Sequence, residues 1–208
     1  MLEVIVARHG QSQANHRNII QGQTSTPLSE LGLRQARALG GALAGLTFAA
    51  VYSSDLERAM QTAQLAAPDC TPIPTVELRE WHLGVFQGLT YDEVKEKYPQ
   101  EWQAFRDLRS DFRVPGGESD QDIYQRAKSF LAYLVEKHTS GRVLLVSHGG
   151  LIRKLLKIAL DIQAPWPVSP SITNASYSQF TFLEGHWRLD SWNCTAHLKG
   201  LLENTGVF

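Results

Sequence analysis

The sequence predicts a three-layer α/β/α fold with a mostly parallel central sheet and a small helical cap inserted into it. Two observations point to the sheet. Val4-Ile5-Val6-Ala7 and Val143-Leu144-Leu145-Val146 are short apolar runs without alternation, as in strands covered on both faces. Each run ends at a polar residue and glycine, Arg8-His9-Gly10 in one case and Ser147-His148-Gly149-Gly150 in the other, where a strand turns toward a following segment. A third observation points to the cap: between two such units lies a stretch from Tyr91 to Phe112, rich in aromatic and charged residues. A chain of 208 residues suits one domain with an insertion, here 1–208 with the cap at about 90–114.

Taken in order, the strand at Val4–Ala7 is followed by a polar segment, Gln11 to Pro27, that contains Gly22 and reads as a long loop. Ser29 is placed to cap a helix whose Ala36, Leu39, Gly40 and Leu43 recur at helical spacing until Gly45. Phe48 to Tyr52 reads as a second buried strand, and Ser53-Ser54-Asp55 as the cap of a helix from Leu56 toward Ala67. Arg58 falls in the first turn of that helix. A cation there opposes the helix dipole, so it has either an anionic ligand as partner or a carboxylate such as Asp55 or Glu57. Ile73 to Leu78 reads as a short strand leading to Glu80-Trp81-His82, where burial beside the indole would raise the pKa of Glu80.

Tyr98-Pro99 divides the cap into two short helical stretches, read either as a lid over a pocket or as a solvated hairpin with an aromatic core. Pro115-Gly116-Gly117-Glu118-Ser119 ends it, and Ile123, Ala127, Phe130, Leu131 and Leu134 mark one face of the next helix. After the strand at Val143–Val146, His148 stands where strand becomes helix, as a structural or a catalytic group; the helix runs from Leu151 to about Leu160. Ile172 to Trp192 predicts two strands joined near Gly185, whose apolar residues could form a homodimer edge.

Composition narrows the function. Lys and Arg number 20 against 21 Asp and Glu, and without a basic run interleaved with aromatics no nucleic-acid partner is expected. No run approaches the roughly 18 apolar residues of a membrane helix, so no membrane partner is expected and the cytoplasm is the expected location. Cys70 and Cys194 read as free thiols. Cys194 and His197 lack a third ligand, and no metal or cofactor is expected.

In a parallel sheet the ends of successive strands share one edge, so Arg8, His9, Arg58 and His148 can converge there, beside helix N-termini that offer backbone amides. Two arginines, two histidines and amides suit a phosphoryl group. Glu80 adds a carboxylate, while the Gly-x-x-x-x-Gly-Lys-Ser/Thr loop of nucleotide hydrolases is missing.

With those residues in view, the sequence resembles the histidine phosphatase superfamily, the phosphoglycerate mutase-like enzymes. Arg8-His9-Gly10, Asn15, Gln21-Gly22, Pro27-Leu28-Ser29, Ser53-Ser54-Asp55-Leu56 with Arg58-Ala59, Leu78 and Glu80 with Gly84, Pro115 to Ser119, and Ser147-His148-Gly149-Gly150 follow in family order over nearly the whole chain. The resemblance implies that His9 is the nucleophile, that Arg8, Arg58 and His148 hold the phosphoryl oxygens with Asn15 assisting, and that Glu80 is the general acid. It places Gln21, Gly22, Trp81, His82 and Tyr91 around the substrate.

Two departures stand out. Related phosphatases often have Gly-x-Trp-Glu-Gly where this chain has Gly84-Val85-Phe86-Gln87-Gly88, and often Glu where it has Gln11. The implied activity is hydrolysis of a small phosphate ester through phosphohistidine. The alternatives are a phosphoglycerate mutase and a catalytically silent phosphate-binding module. Cap residues Lys95, Lys97, Arg106, Arg109 and Arg113 are offset by Asp92, Glu93, Glu96, Glu101, Asp107 and Asp111, a balance that favours one phosphate over the two of a bisphosphate.

Overall fold

The computed structural model describes residues 1–107, 112–162 and 170–202. Six strands form one sheet in the order β3-β2-β4-β1-β5-β6: β1 (Leu2–Arg8), β2 (Ala50–Ser54), β3 (Ile73–Thr75), β4 (Gly141–Ser147), β5 (Tyr177–Leu183) and β6 (His186–Cys194). Strands β1 to β4 run parallel to one another, and β5 is antiparallel to both β1 and β6. The expected α/β sheet, parallel in its larger part, is therefore present. Registration of β1 on β4 pairs Val4 with Val143 and Arg8 with Ser147. Both central strands thus end at one level, which sets His9 beside His148.

Pleating sends alternate residues of β1 to opposite cores. Val4 and Val6 join Leu145 against α6 (Asp120–Lys137) and α7 (Gly149–Ala159), whose Ile123, Leu134, Leu151 and Leu155 are buried there. Ile5 and Ala7 join Leu144 and Val146 against α2 (Glu30–Leu43) and α3 (Glu57–Ala66). Helices on both faces explain why the central strands lack polar alternation. The cap consists of α4 (Tyr91–Lys97) and α5 (Pro99–Arg106). It has its own small core, in which Phe86, Val94 and Val114 pack with Tyr98, Trp102 and Phe105.

Several expectations shift locally. The loop from Gln11 to Pro27 contains a helical turn, α1 (Gln13–His16), because Ser12 and Asn15 form a capping box. Ser53, Ser54 and Asp55 do not cap α3 with their side chains; β2 runs on through Ser54 and Leu56 stands at the N-cap. Beyond β3 the chain turns into a 3₁₀ helix, Val76–Leu78, which brings Glu80 back over the sheet edge. Among the described residues no helix is long and apolar enough to cross a membrane, and Cys70 and Cys194 are free.

The exit from β1 packs directly on α2. A Cβ on Gly32 would stand 1.9 Å from the Gln11 carbonyl oxygen, whereas one on Gly41 of the same helix meets nothing within 4 Å. Gly32→Ala is therefore expected to destabilise the protein by about 1–3 kcal/mol in urea unfolding through backbone overpacking. Gly41→Ala is expected to be neutral or stabilising by up to about 1 kcal/mol. Equal effects at the two positions would contradict the close approach.

Candidate active site

Four of the chain's chemical groups meet above the carboxyl ends of β1, β2 and β4. His9 directly follows β1 and is 3% exposed. Its backbone is fixed on both sides: its N–H donates to the Ser147 carbonyl at 2.9 Å, and its carbonyl accepts from Ala175 N–H at 3.1 Å and Asn174 Nδ2 at 3.1 Å. The ring Nδ1 lies 2.6 Å from the Gly10 carbonyl. A carbonyl only accepts, so Nδ1 carries the proton and Nε2 keeps the lone pair.

His148 is fully buried at the N-cap of α7, its ring centroid 5.0 Å from that of His9. Arg58 Nε donates to its Nδ1 at 3.2 Å, so the proton of the neutral ring sits on Nε2 and is donated to Ser54 Oγ at 2.8 Å. Burial, and after it the positive charges of Arg58 and Arg8, hold both imidazoles well below the ordinary histidine pKa of 6.5.

Arg58 is 1% exposed. Its Nη1 donates to the Thr24 carbonyl at 2.7 Å and its Nη2 to that of Gly22 at 2.8 Å. The guanidinium therefore ties the long loop to α3 and to His148. Neither carboxylate is its partner: Asp55 is taken by Arg79 through two hydrogen bonds of 2.7 and 2.5 Å, and Glu57 accepts from Gln61 Nε2 at 3.3 Å. Arg8 Nη1 donates to the Ile172 carbonyl at 2.5 Å, while its buried Nε has no hydrogen-bond partner. Burial lowers Arg8 and Arg58 to about 10, still charged at neutral pH. A buried N–H without an acceptor in a pocket of positive charge is suited to an anion.

Glu80 reaches the start of α7 from the chain beyond the 3₁₀ helix. Its Oε1 accepts from the N–H of Trp81 at 2.8 Å and its Oε2 from that of Gly150 at 3.1 Å, at the N-terminus of α7. A Cβ on Gly150 would lie 2.3 Å from Oε1, so the second glycine of Gly149-Gly150 makes room for the carboxylate. The backbone of Glu80 is clamped as well. Arg126 donates to the carbonyls of Glu77, Arg79 and Glu80 at 3.0, 2.7 and 3.2 Å, and pairs with Glu118, which accepts from His82 N–H at 2.8 Å. Arg126 was not singled out in the sequence, where it appears as one more cation on an amphipathic helix.

The remaining expected residues occupy different positions. Asn15 Oδ1 accepts from Ser12 N–H in the capping box, and Asn174 Nδ2 lies 3.4 Å away, beside the His9 backbone. Gln21 Oε1 is taken by the hydroxyls of Ser12 and Thr26, and Gly22, at a positive φ of 50°, supplies a carbonyl to Arg58. Both shape the loop. Trp81 donates its indole N–H to the Glu118 carbonyl and packs on Phe105 with Lys154 over its ring, and His82 Nδ1 accepts from Gly84 N–H. Burial raises the pKa of the Tyr91 phenol, on which Arg8, Glu80 and Arg153 also act. His197 donates to the Ala175 carbonyl, and among the described residues no group of three or more His, Cys, Asp or Glu is placed to hold a metal. Gln11, the departure at the end of the signature, accepts from Ser29 Oγ at 2.6 Å and donates its backbone N–H to Gln35 Oε1 at 2.9 Å, which serves the packing of β1 on α2.

A sequence profile described as the histidine phosphatase superfamily (branch 1) matches residues 4–195. The Arabidopsis thaliana protein named phosphoglycerate mutase-like protein 4 is 35% identical over 203 residues, 95% of this chain and 87% of that protein. A metal-independent phosphoserine phosphatase of the same plant is 36% identical over 205 residues, covering 96% and 84%. Among solved structures, the mycobacterial glucosyl-3-phosphoglycerate phosphatase in complex with VO3 superposes with a TM-score of 0.82 at 36% identity, covering 92% of this chain and 98% of that one.

The histidine geometry predicts that neither His9 nor His148 takes up a proton until well below pH 6.5. Imidazole nitrogen shifts measured through a pH titration should stay at their neutral values for both. Stability should fall as pH drops below about 6.5, because the unfolded chain binds protons that the folded one refuses, by about 1.4 kcal/mol per pH unit for each histidine. A titration midpoint near 6.5 for either ring would contradict this electrostatic account.

Proposed function

The chain belongs to the histidine phosphatase superfamily, and on that footing we propose that it hydrolyses the phosphate monoester of a small metabolite through a phosphohistidine formed at His9 Nε2. The observation that carries the reading is the fixed tautomer of His9: the hydrogen bond from Nδ1 to Gly10 leaves a lone pair on Nε2, in a ring that burial and two arginines keep unprotonated.

Attack by Nε2 on phosphorus forms the N–P bond as the ester P–O bond breaks. Charge spreads onto the phosphoryl oxygens, toward which the Arg8 Nε–H and the Arg58 guanidinium supply fixed positive charge without reorganising. His148 holds Arg58 through Nδ1 and can turn its Nε2–H from Ser54 to an oxygen. Protonated Glu80 gives its proton to the departing alkoxide. As a carboxylate it then takes a proton from the water that attacks phosphohistidine, releasing inorganic phosphate and restoring the imidazole. Removing an electrostatic donor of this kind typically lowers the rate about 10²–10³-fold.

The cap supports hydrolysis of a monophosphate over mutase chemistry on a bisphosphate. Lys95 pairs with Asp92, Lys97 with Glu93 and Arg113 with Asp122, while Arg106 lies over the Trp102 ring. Arg109 and Asp111 lie outside the described residues. The named mutase-like relative keeps the mutase as the alternative, and added bisphosphate discriminates: it should not be required for turnover.

Glu80→Gln removes proton transfer but preserves shape. Formation of phosphohistidine from an alkyl phosphate should slow by about 10²–10⁴, whereas formation from nitrophenyl phosphate, whose leaving group needs no proton, should be far less affected. The second ester should therefore give a burst of nitrophenol, with acid-labile, base-stable label on His9, followed by slow turnover. An equal fall in single-turnover phosphorylation for both esters would remove Glu80 as the general acid.

A further inference from the structure

The pairing of β1 with β5 stops at Ala7, which lies in register with Tyr177. The next rung is only half made: Arg8 N–H donates to the Ser176 carbonyl at 3.0 Å, but Ser176 N–H turns back to the Thr173 carbonyl at 3.0 Å. The departure lies at Ala175, whose φ of 57° is a left-handed conformation that a Cβ disfavours. It redirects two donors to one acceptor. Ala175 N–H and Asn174 Nδ2 both reach the His9 carbonyl, each at 3.1 Å, and so occupy both lone pairs of that oxygen.

Such a turn persists only where its surroundings hold it, and here the holding group comes from the C-terminal segment. His197, in the 3₁₀ helix Ala196–Leu198, donates from Nε2 to the Ala175 carbonyl at 2.9 Å and lies against Tyr177, with ring centroids 5.6 Å apart. Ala175 has no exposed surface, and among the described residues His197 is the donor its carbonyl finds. A second thread reaches the other flank of His9. Gln35, 3% exposed, accepts from Gln11 N–H through Oε1 and donates through Nε2 to the Leu201 carbonyl, both at 2.9 Å. Leu198, fully buried, anchors the segment between the two threads.

We propose that the C-terminal segment from His197 to Leu201 aims the nucleophile, with His197 acting through the Asn174-Ala175 turn and Gln35 linking Leu201 to Gln11, so that both are positioning residues for phosphoryl transfer. The proposal rests on the phosphatase reading given above. The carbonyl gripped by the turn belongs to the peptide that joins His9 to Gly10, and the His9 ring takes its direction from the Gly10 carbonyl. The aim of Nε2 therefore depends on the backbone that the two threads hold. A misplacement of about 1 Å at a reacting atom can cost 10²-fold in rate. None of these bonds is made to a side chain of Arg8, Arg58 or His148, so their loss slows transfer while leaving the phosphate cradle in place.

The test separates aim from binding. His197→Phe keeps a ring against Tyr177 but has no donor, whereas His197→Gln carries an amide N–H near the position of Nε2. The rate constant for single-turnover labelling of His9 by nitrophenyl phosphate does not depend on the fraction of folded enzyme, and inhibition by inorganic phosphate reports the cradle. His197→Phe should slow labelling by about tenfold or more and change the inhibition constant by less than about threefold, and His197→Gln should recover most of the rate. Gln35→Glu, which keeps the acceptor for Gln11 N–H and loses the donor to Leu201, should also slow labelling; it decides the question if His197→Phe does not fold. An unchanged labelling rate, a loss of rate and phosphate affinity in step, or a loss that His197→Gln does not restore would overturn the positioning role and leave the phosphatase reading intact. Wild-type enzyme that turns over nitrophenyl phosphate without label on His9, or does not turn it over, would overturn that reading and the positioning role with it.

Discussion

A guanidinium withdrawn from water must find its hydrogen bonds inside the protein, and much of this site follows from how Arg58 does so. At 1% exposure it donates to Gly22, Thr24 and His148. Those three bonds fix the loop after α1, the entry of α3 and the end of β4 relative to one another. Hydrogen bonds to a charged group contribute about 1.5–3 kcal/mol each, and losing the one to Gly22 would also leave a buried carbonyl unpaired. The same charge keeps His148 neutral, because an imidazole nitrogen that accepts from Arg58 cannot also carry a proton. Positive charge and neutral imidazole thus sustain each other, and the pocket is electropositive before any ligand arrives.

Glu80 is held by a different scheme. Glu80 lies in irregular chain beyond β3, where no strand ladder holds it, and it is fixed by Arg126 and Gln23 at its carbonyl and by two backbone amides at its carboxylate. A glycine at 150 is the condition for that approach. Catalytic groups gain from such preorganisation because misplacement by about 1 Å can cost 10²-fold in rate. The His9 side is held by the sheet and the Glu80 side by a partly buried ion pair, Arg126 with Glu118, so in the proposed reaction the nucleophile and the acid rest on separate supports.

The sheet was legible because burial on both faces leaves a continuous apolar run, as in Val4–Ala7 and Val143–Val146, and the convergence of Arg8, His9, Arg58 and His148 follows from parallel strand ends. The helix at 120–137 was legible from the spacing of Ile123, Ala127, Phe130, Leu131 and Leu134, all of which are buried. What escaped depends on contacts distant in sequence. Ser53-Ser54-Asp55 has the composition of a helix cap, yet Ser54 is drawn to His148 and Asp55 to Arg79, partners that local pattern does not encode. Gln21 and Gly22 were expected around the substrate, and the hydrogen bonds they make inside the loop and to Arg58 were not legible. Arg126 carried no local signal beyond charge on an amphipathic helix. The Gly149-Gly150 pair was a visible hint that something approaches the start of α7 closely.

The central claim is that a preformed cationic cradle presents phosphorus in line between His9 Nε2 and Glu80. A crystal structure of this protein with vanadate tests it most directly. The account predicts a trigonal-bipyramidal vanadium bonded to His9 Nε2, an apical oxygen within hydrogen-bond reach of the Glu80 carboxyl, and an equatorial oxygen accepting from Arg8 Nε, with the Nδ1 contact to Gly10 retained. Vanadate bound through His9 Nδ1, or seated away from Arg8 with Glu80 turned from its apical oxygen, would contradict it.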